Sequence, residues 1–271
     1  MLKIIIVAII ILIFIFPYYW MLVISLEPLA PVTDPKPHFT PHNTTFENYK
    51  FLLFEVKDFY RWVFNSLFIS VIAVILNCLV ASLAGYVFAK KVFPGSKILF
   101  YFMLATMAIP GNSILLPQFI LMKDLGLMDT YASMYIVAII GAGGMFLMKQ
   151  FISTIPTELI EAAKIDGANE WQIYWQVIVP IIKPGLIVLG IFTFIGTYNN
   201  YYWQILMIRD SLMRTLPLAV ASLVNSLEPD GAPIIQLKMA AACIASWPLL
   251  ILFFTLHKYF LKGIRIGSVK G

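Results

Sequence analysis

Two groups of side chains in this sequence have the types and spacing for non-covalent chemistry. The first is the polar stretch 161-EAAKIDGANE-170, where Glu161, Lys164, Asp166 and Glu170 crowd around Gly167 and Asn169. Ionised groups this close together suit charge-assisted hydrogen bonds to a soluble partner. The second is a set of amides and phenols set in apolar sequence: Asn77, Asn112, Gln118, Tyr198, Asn199, Asn200 and Gln204. Amides beside flat aromatic faces match a sugar, which offers hydroxyls at its rim and apolar C–H faces. The same amides equally serve as hydrogen bonds between helices in lipid. Asn199 and Asn200 lead the candidates for a solute path because they cluster with aromatics in 198-YNNYYW-203, with Gln204 and Asn112 behind them. No nucleophile–base arrangement is present, and His38, His42 and His257 lack metal-ligand spacing. The chain is read as having no catalytic residues, no metal and no cofactor.

These groups must be positioned by a membrane fold. Hydrophobic residues make up 61% of the 271 and charged residues only 12%, where soluble domains carry about 25% charged. The formal charge of +5 is no nucleic-acid footprint, because the basic residues lie between apolar spans. Cys78 and Cys243 fall inside apolar runs and read as small buried residues. Six apolar windows predict transmembrane helices at about 4–25, 65–89, 98–121, 133–149, 182–207 and 239–260. Helices are required, since backbone groups in lipid must be satisfied within the segment. The first window is read as a retained span and not a cleaved signal, because it is long enough to cross and no small-x-small site follows. The window 133–149 is short and carries Gly141, Gly143 and Gly144, so its limits are the loosest. Ala81, Gly85 and Ala89 form a small-xxx-small pattern that predicts close helix packing.

Basic residues set the orientation. With a cytoplasmic N-terminus, 11 of the 19 Lys and Arg face inward and 8 outward, and the short loop 90-KKVFPGSK-97 and the tail 257-HKYFLKGIRIGSVKG-271 are strongly basic. Both termini are then cytoplasmic, as is the loop 150–182. The outside segments hold the proline-rich run 28-PLAPVTDPKPHFTP-41 and a stretch, 46–62, read as an interfacial helix with Tyr60 and Trp62 at headgroup level. A second outside loop, 208–238, carries Asp210, Glu228 and Asp230. Asn43-Thr44-Thr45 matches a glycosylation acceptor, a reading that a prokaryotic origin voids.

Within the cytoplasmic loop, Pro156 and Glu158 suit a helix start. Leu159, Ala162 and Ala163 share one face, and Gly167 is placed to end the helix in a left-handed conformation. Asn169 and Gln172 have capping-box spacing for a second helix, whose Trp171, Tyr174, Trp175 and Ile178 form a one-sided stripe. The loop is a helix–turn–helix, its second helix packed on the spans and its first projecting into the cytosol.

The run 152-ISTIPTELIEAAKIDGANEWQIYWQVIVPIIKP-184 resembles the EAA loop of binding-protein-dependent ABC importer permeases. The segments 215-TLPLAVASL-223 and 258-KYFLKGIRIGSVKG-271 resemble the carbohydrate-uptake branch of that family, the one that includes the maltose permease protein G. Many sugar permeases show Trp-Asn-Asp or Trp-Asn-Glu where this chain has 198-YNNYYW-203, and the solute's identity stays open. The resemblance implies an all-α membrane protein of one permease domain, residues 1–271, with six transmembrane helices and a cytoplasmic coupling helix-turn-helix between spans four and five. It implies that Glu161, Ala162, Ala163, Asp166 and Gly167 couple to an ATPase. Its partners are a second homologous permease, two cytoplasmic P-loop ATPases, an external solute-binding protein and membrane lipid, with no nucleic acid, in a prokaryotic inner membrane. The chain itself lacks G-x-x-x-x-G-K-[ST] and has no P-loop of its own. The function expected is ATP-driven import of a sugar or sugar-like solute by alternating access. The alternative is an ATP-independent secondary carrier or facilitator, which the lack of ionisable residues inside the spans disfavours.

Overall fold

The computed structural model describes residues 2–29, 39–40, 43–226 and 235–268. Most of the proline-rich run 28–41, together with Glu228, Asp230 and Lys270, lies outside the described residues, as do the side chains of Lys258, Lys262 and Arg265. All of the regular structure described is helical. Among the described residues four helices are long and apolar enough to cross a membrane alone, and two bent pairs bring the number to six if each pair is one span.

The chain divides into two compact units. The first holds α1 (Leu2–Ser25), α2 (Glu47–Lys50), the first turns of α3 (Phe59–Lys90), α12 (Leu216–Ser226) and the first part of α13 (Ile235–Ser268). α1 is apolar all round and exposes Ile4, Leu12 and Phe14, as a lipid-facing span must. Its C-terminal carbonyls would be orphaned, and the buried Asn48 supplies the donors. Its Nδ2 donates to the carbonyls of Ser25 at 2.9 Å and Glu27 at 2.7 Å. Tyr49 and Ser25 share a hydroxyl bond of 2.7 Å. Burial pushes the Tyr49 phenol up to about 12, so it stays protonated.

The helix expected over 46–62 is not continuous. α2 widens into π-helical turns over Phe51–Glu55, and the chain breaks before α3 begins at Phe59. Trp62 is 7% exposed and sits in a core with Leu52, Phe59, Leu216 and Leu237. Its packing partners come from α12 and α13, so no local pattern reports them. Tyr60 is exposed.

The second unit holds the rest of α3, α4 (Ser96–Thr106), α5 (Gly111–Asp124), α6 (Tyr131–Ile139), α7 (Ala142–Ser153), α8 (Thr157–Ile165), α9 (Glu170–Gln172), α10 (Val179–Tyr198), α11 (Tyr201–Met207) and the end of α13. The window 98–121 is not one helix: α4 and α5 meet at 102°, with Pro110 capping α5. α6 and α7 meet at 45° across Ile140 and Gly141. Asn77 serves that break, its Nδ2 donating to the carbonyls of Ala138 and Ile139. The window 182–207 also divides, α10 ending at Tyr198 and α11 starting at Tyr201.

The small-residue pattern on α3 marks a true close crossing. A Cβ on Gly85 would lie 2.8 Å from both the Lys149 nitrogen and the Met148 Cβ of α7. Gly85→Val is expected to lower stability by at least about 2 kcal/mol, read as the thermal unfolding midpoint in detergent. Gly196→Ala, whose Cβ would meet nothing within 4 Å, is the control and should fall within about 0.5 kcal/mol of the parent.

Candidate coupling loop and solute path

The sequence of α8 favours both of its ends and caps the C-terminal one. Glu158 lies in the first turn and Lys164 in the last, each favourable to the helix dipole. Gly167 adopts φ +81°, where L side chains are strained. The N–H of Gly167 donates to Lys164 O at 3.0 Å and that of Ala168 to Ala163 O at 2.9 Å, the paired bonds of a Schellman motif. Two residues on, the Asn169 side chain accepts from the Gln172 N–H at 2.9 Å, and the Gln172 side chain accepts from the Asn169 N–H at 2.8 Å. This reciprocal box starts the second helix immediately.

The faces differ in part from expectation. Ile160 and Ala163 turn inward onto Met148, Ile152, Ile155 and Ile173. Glu161, Ala162, Leu159 and Asp166 are exposed, and Ile165 is 87% exposed. Leu159 and Ala162 therefore share the outward face while Ala163 anchors. The aromatic stripe splits as well. Residues Ile173–Ile178 are π-helical, and the wider turn brings each residue round by less than the α-helical ~100°. Ile173, Tyr174 and Ile178 are buried, whereas Trp171 is 60% exposed and Trp175 half-exposed.

The loop is fixed to the end of α3 by contacts that no local spacing signals. The Tyr174 and Ser82 hydroxyls pair at 2.7 Å in a buried position, and Lys90 Nζ donates to Ile155 O at 2.5 Å. Glu170 is the junction. Its carboxylate accepts from the Tyr86 hydroxyl at 2.9 Å, pairs with Lys91, and lies 3.7 Å from Lys164 Nζ on α8. One carboxylate thus joins α3, α8 and α9. Among the described residues no group of three or more His, Cys, Asp or Glu converges to hold a metal.

The amide candidates separate into structural and open groups. Asn77 is buried and spent on the α6 break. Tyr198 is buried, its ring stacked on Phe194 at 5.8 Å. Gln204 is buried in α11, and Asn112 and Asn199 are exposed. Asn200 caps α11, accepting from the Trp203 N–H at 3.3 Å, and Trp203 Nε1 donates to Ser133 O at 2.8 Å. Asn200 also lines a cavity of about 270 Å³ with Val137, Ala138, Thr193, Gly196 and Thr197. Of the sequence candidates, Asn200 alone is on that wall. Thr193 and Thr197 were missed because a threonine in an apolar window reads as back-bonded to its own helix.

Residues 81–266 match the model of the family described as binding-protein-dependent transport system inner membrane component. The chain belongs to this family. It is a multi-pass inner-membrane permease and the transport component of an importer; family membership sets the ATP-independent carrier aside. The permease is 32% identical over 233 residues to the arabinooligosaccharides transport system permease protein AraQ of Halalkalibacterium halodurans, covering 86% of this chain and 82% of the relative. It is 29% identical over 231 residues to the maltodextrin transport system permease protein MdxG of Bacillus subtilis, covering 84% and 81%. Its fold matches a chain in the crystal structure of a bacterial ABC transporter involved in the import of the acidic polysaccharide alginate. That match has a TM-score of 0.85 at 24% identity and covers 96% of the permease and 95% of that chain.

Because Glu170 is more than half exposed, its ion pairs contribute little stability alone. Glu170→Gln is expected to cost under about 1 kcal/mol in a thermal melt of the detergent-solubilised permease, and the loss should shrink in about 1 M salt. An equal loss at both salt concentrations would show that the carboxylate does not act through its charge.

Proposed function

We propose that the permease forms one half of a pore for a sugar or sugar-like solute and is driven by ATPase subunits that dock on α8. The whole chain, residues 1–271, acts as one transmembrane permease domain with both termini cytoplasmic, in line with the basic loop 90-KKVFPGSK-97. A second homologous permease completes the pore, two P-loop ATPases bind from the cytosol, and a solute-binding protein delivers from outside. The relatives named for arabinooligosaccharide and maltodextrin transport support a sugar as cargo.

The outward face of α8 carries this reading. Leu159, Glu161, Ala162 and Ile165 are exposed on a helix whose C-terminus is capped at Gly167. Isoleucine exposed on a short polar helix costs free energy until a partner covers it. Glu161 beside it supplies a charge for a cationic donor on that partner, and Ala162 lets the surfaces approach. A push on α8 passes through Ile160 and Ala163 into the core, and through Glu170 into α3. Alternating closure of the ATPases then becomes alternating access of the path beside α10 and α11, where Tyr198, Asn199, Asn200, Gln204 and Asn112 are the candidate contacts from sequence.

Two variants test the coupling role. Gly167→Pro forces φ near −65° where +81° is required, and should leave the permease in the membrane at normal abundance with ATP-driven uptake reduced at least about tenfold. Ile165→Asp should release the ATPase from the purified complex with no loss of thermal stability. Normal uptake by Gly167→Pro, or full ATPase retention by Ile165→Asp, would remove α8 as the docking element.

A further inference from the structure

We propose that the cavity at the α10–α11 break is a subsite for one ring of a neutral sugar, with the Thr197 hydroxyl as its recognition group. This rests on the importer reading above and adds the residues and the solute class. The decisive observation is a contrast between two threonines one turn apart. The Thr193 hydroxyl donates to Leu189 O at 2.9 Å, the usual way for a threonine to satisfy itself in an apolar helix. Thr197 is 5% exposed, and its Oγ1 is buried with no hydrogen-bond partner. A buried hydroxyl without a partner is costly, and Thr197 is one of the residues that line the cavity. The missing partner belongs inside.

The wall defines what that partner is. Thr197 both donates and accepts, Thr193 keeps lone pairs to accept, and Asn200, whose oxygen is taken by the Trp203 N–H, keeps its NH₂ donors. Val137, Ala138 and Gly196 supply apolar surface. A Cβ on Gly196 would meet nothing within 4 Å, so the helix is open on this side. Donors and acceptors alternating with flat apolar wall complement a pyranose or furanose ring, whose hydroxyls need both. Among the described residues no ionisable side chain lines the cavity, so a carboxylate or phosphate would enter without a counter-charge from them and at high desolvation cost. At about 270 Å³ the space falls just under the ~300–1,000 Å³ of drug-sized ligand sites, which suits a single ring of a longer chain.

The test uses the complete importer purified with its ATPases and reconstituted in liposomes. Thr197→Cys is treated with a small hydrophilic methanethiosulfonate, in the resting and vanadate-trapped states, beside Ile195→Cys as the off-wall control. Thr197→Cys should label at least about tenfold faster in one of the two states, because only ionisable, water-exposed thiols react. Arabinotriose, maltotriose and lactose serve as neutral probes and trigalacturonate as the acidic one, and at least one neutral probe should slow the labelling. In uptake of that sugar, Thr197→Val should raise KM by about 3- to 10-fold, the worth of one hydrogen bond, and Thr197→Ser should restore it. No labelling in either state, labelling that no neutral probe slows, protection by trigalacturonate alone, or an unchanged KM in Thr197→Val would each overturn the subsite. Failure of the importer reading registers separately, as a wild-type chain that co-purifies with no ATPase.

Discussion

The constraint on which the rest depends is that a polypeptide in hydrocarbon must satisfy its own backbone. Wherever a span breaks, carbonyls and N–H groups are released and something must meet them. At the α6–α7 bend the Asn77 amide does so from α3. At the α10–α11 break Asn200 takes the Trp203 N–H, and the Trp203 indole reaches the Ser133 carbonyl. The segment after α11 is held by Asp129, which adopts φ +52° and accepts from the N–H groups of Arg209 and Asp210. α4 ends by tightening, with Ala108 and Ile109 bonding three residues back. Each interruption is bonded, so each is a built feature of the fold. A path for a polar solute needs such places, since only an interrupted helix exposes polar backbone and short side chains to a cavity.

The same logic governs the charged loop of α8 and α9, where charge is met by charge and the two helix ends at the turn are bonded. α8 and α9 are joined by a glycine turn that leaves little slack, and they are fastened to α3 by Ser82, Tyr86, Lys90 and Lys91. α9 also runs without interruption of helical backbone into α10. The loop therefore has two outputs. One is covalent, through α10 toward the cavity wall; the other is through side chains, into the end of α3. α8 is thus connected by separate routes to the wall residues on α10 and to α3, whose Asn77 caps the α6–α7 bend.

How much of this was legible in the sequence depended on range. Gly167, Asn169 with Gln172, and Gly85 obey rules of one or two turns, and the structure has each in the conformation its type requires. Hydropathy windows found the spans but not their bends, because an apolar average over about 20 residues is blind to a 102° corner at Pro110. Trp171 and Trp175 were placed inward on α-helical spacing that the π-helical turns over Ile173–Ile178 do not keep, and both are exposed. Glu170 was visible as a charge, yet its partners Tyr86 and Lys91 lie some eighty residues upstream. Thr197 left no trace, since its importance lies in a bond it does not make.

The crossing at Gly85 has a mechanical consequence. With no side chain between them, the backbones of α3 and α7 touch, and prising them apart would open a seam too thin for a lipid tail to heal. The cheap relative motion left is a roll of one rod over the other, with the glycine as fulcrum. α7 leads directly into α8, so a small displacement at the α8 end becomes a tilt whose far arm is the α6–α7 bend. Gear ratio, and not merely snug packing, is what a glycine at that position confers.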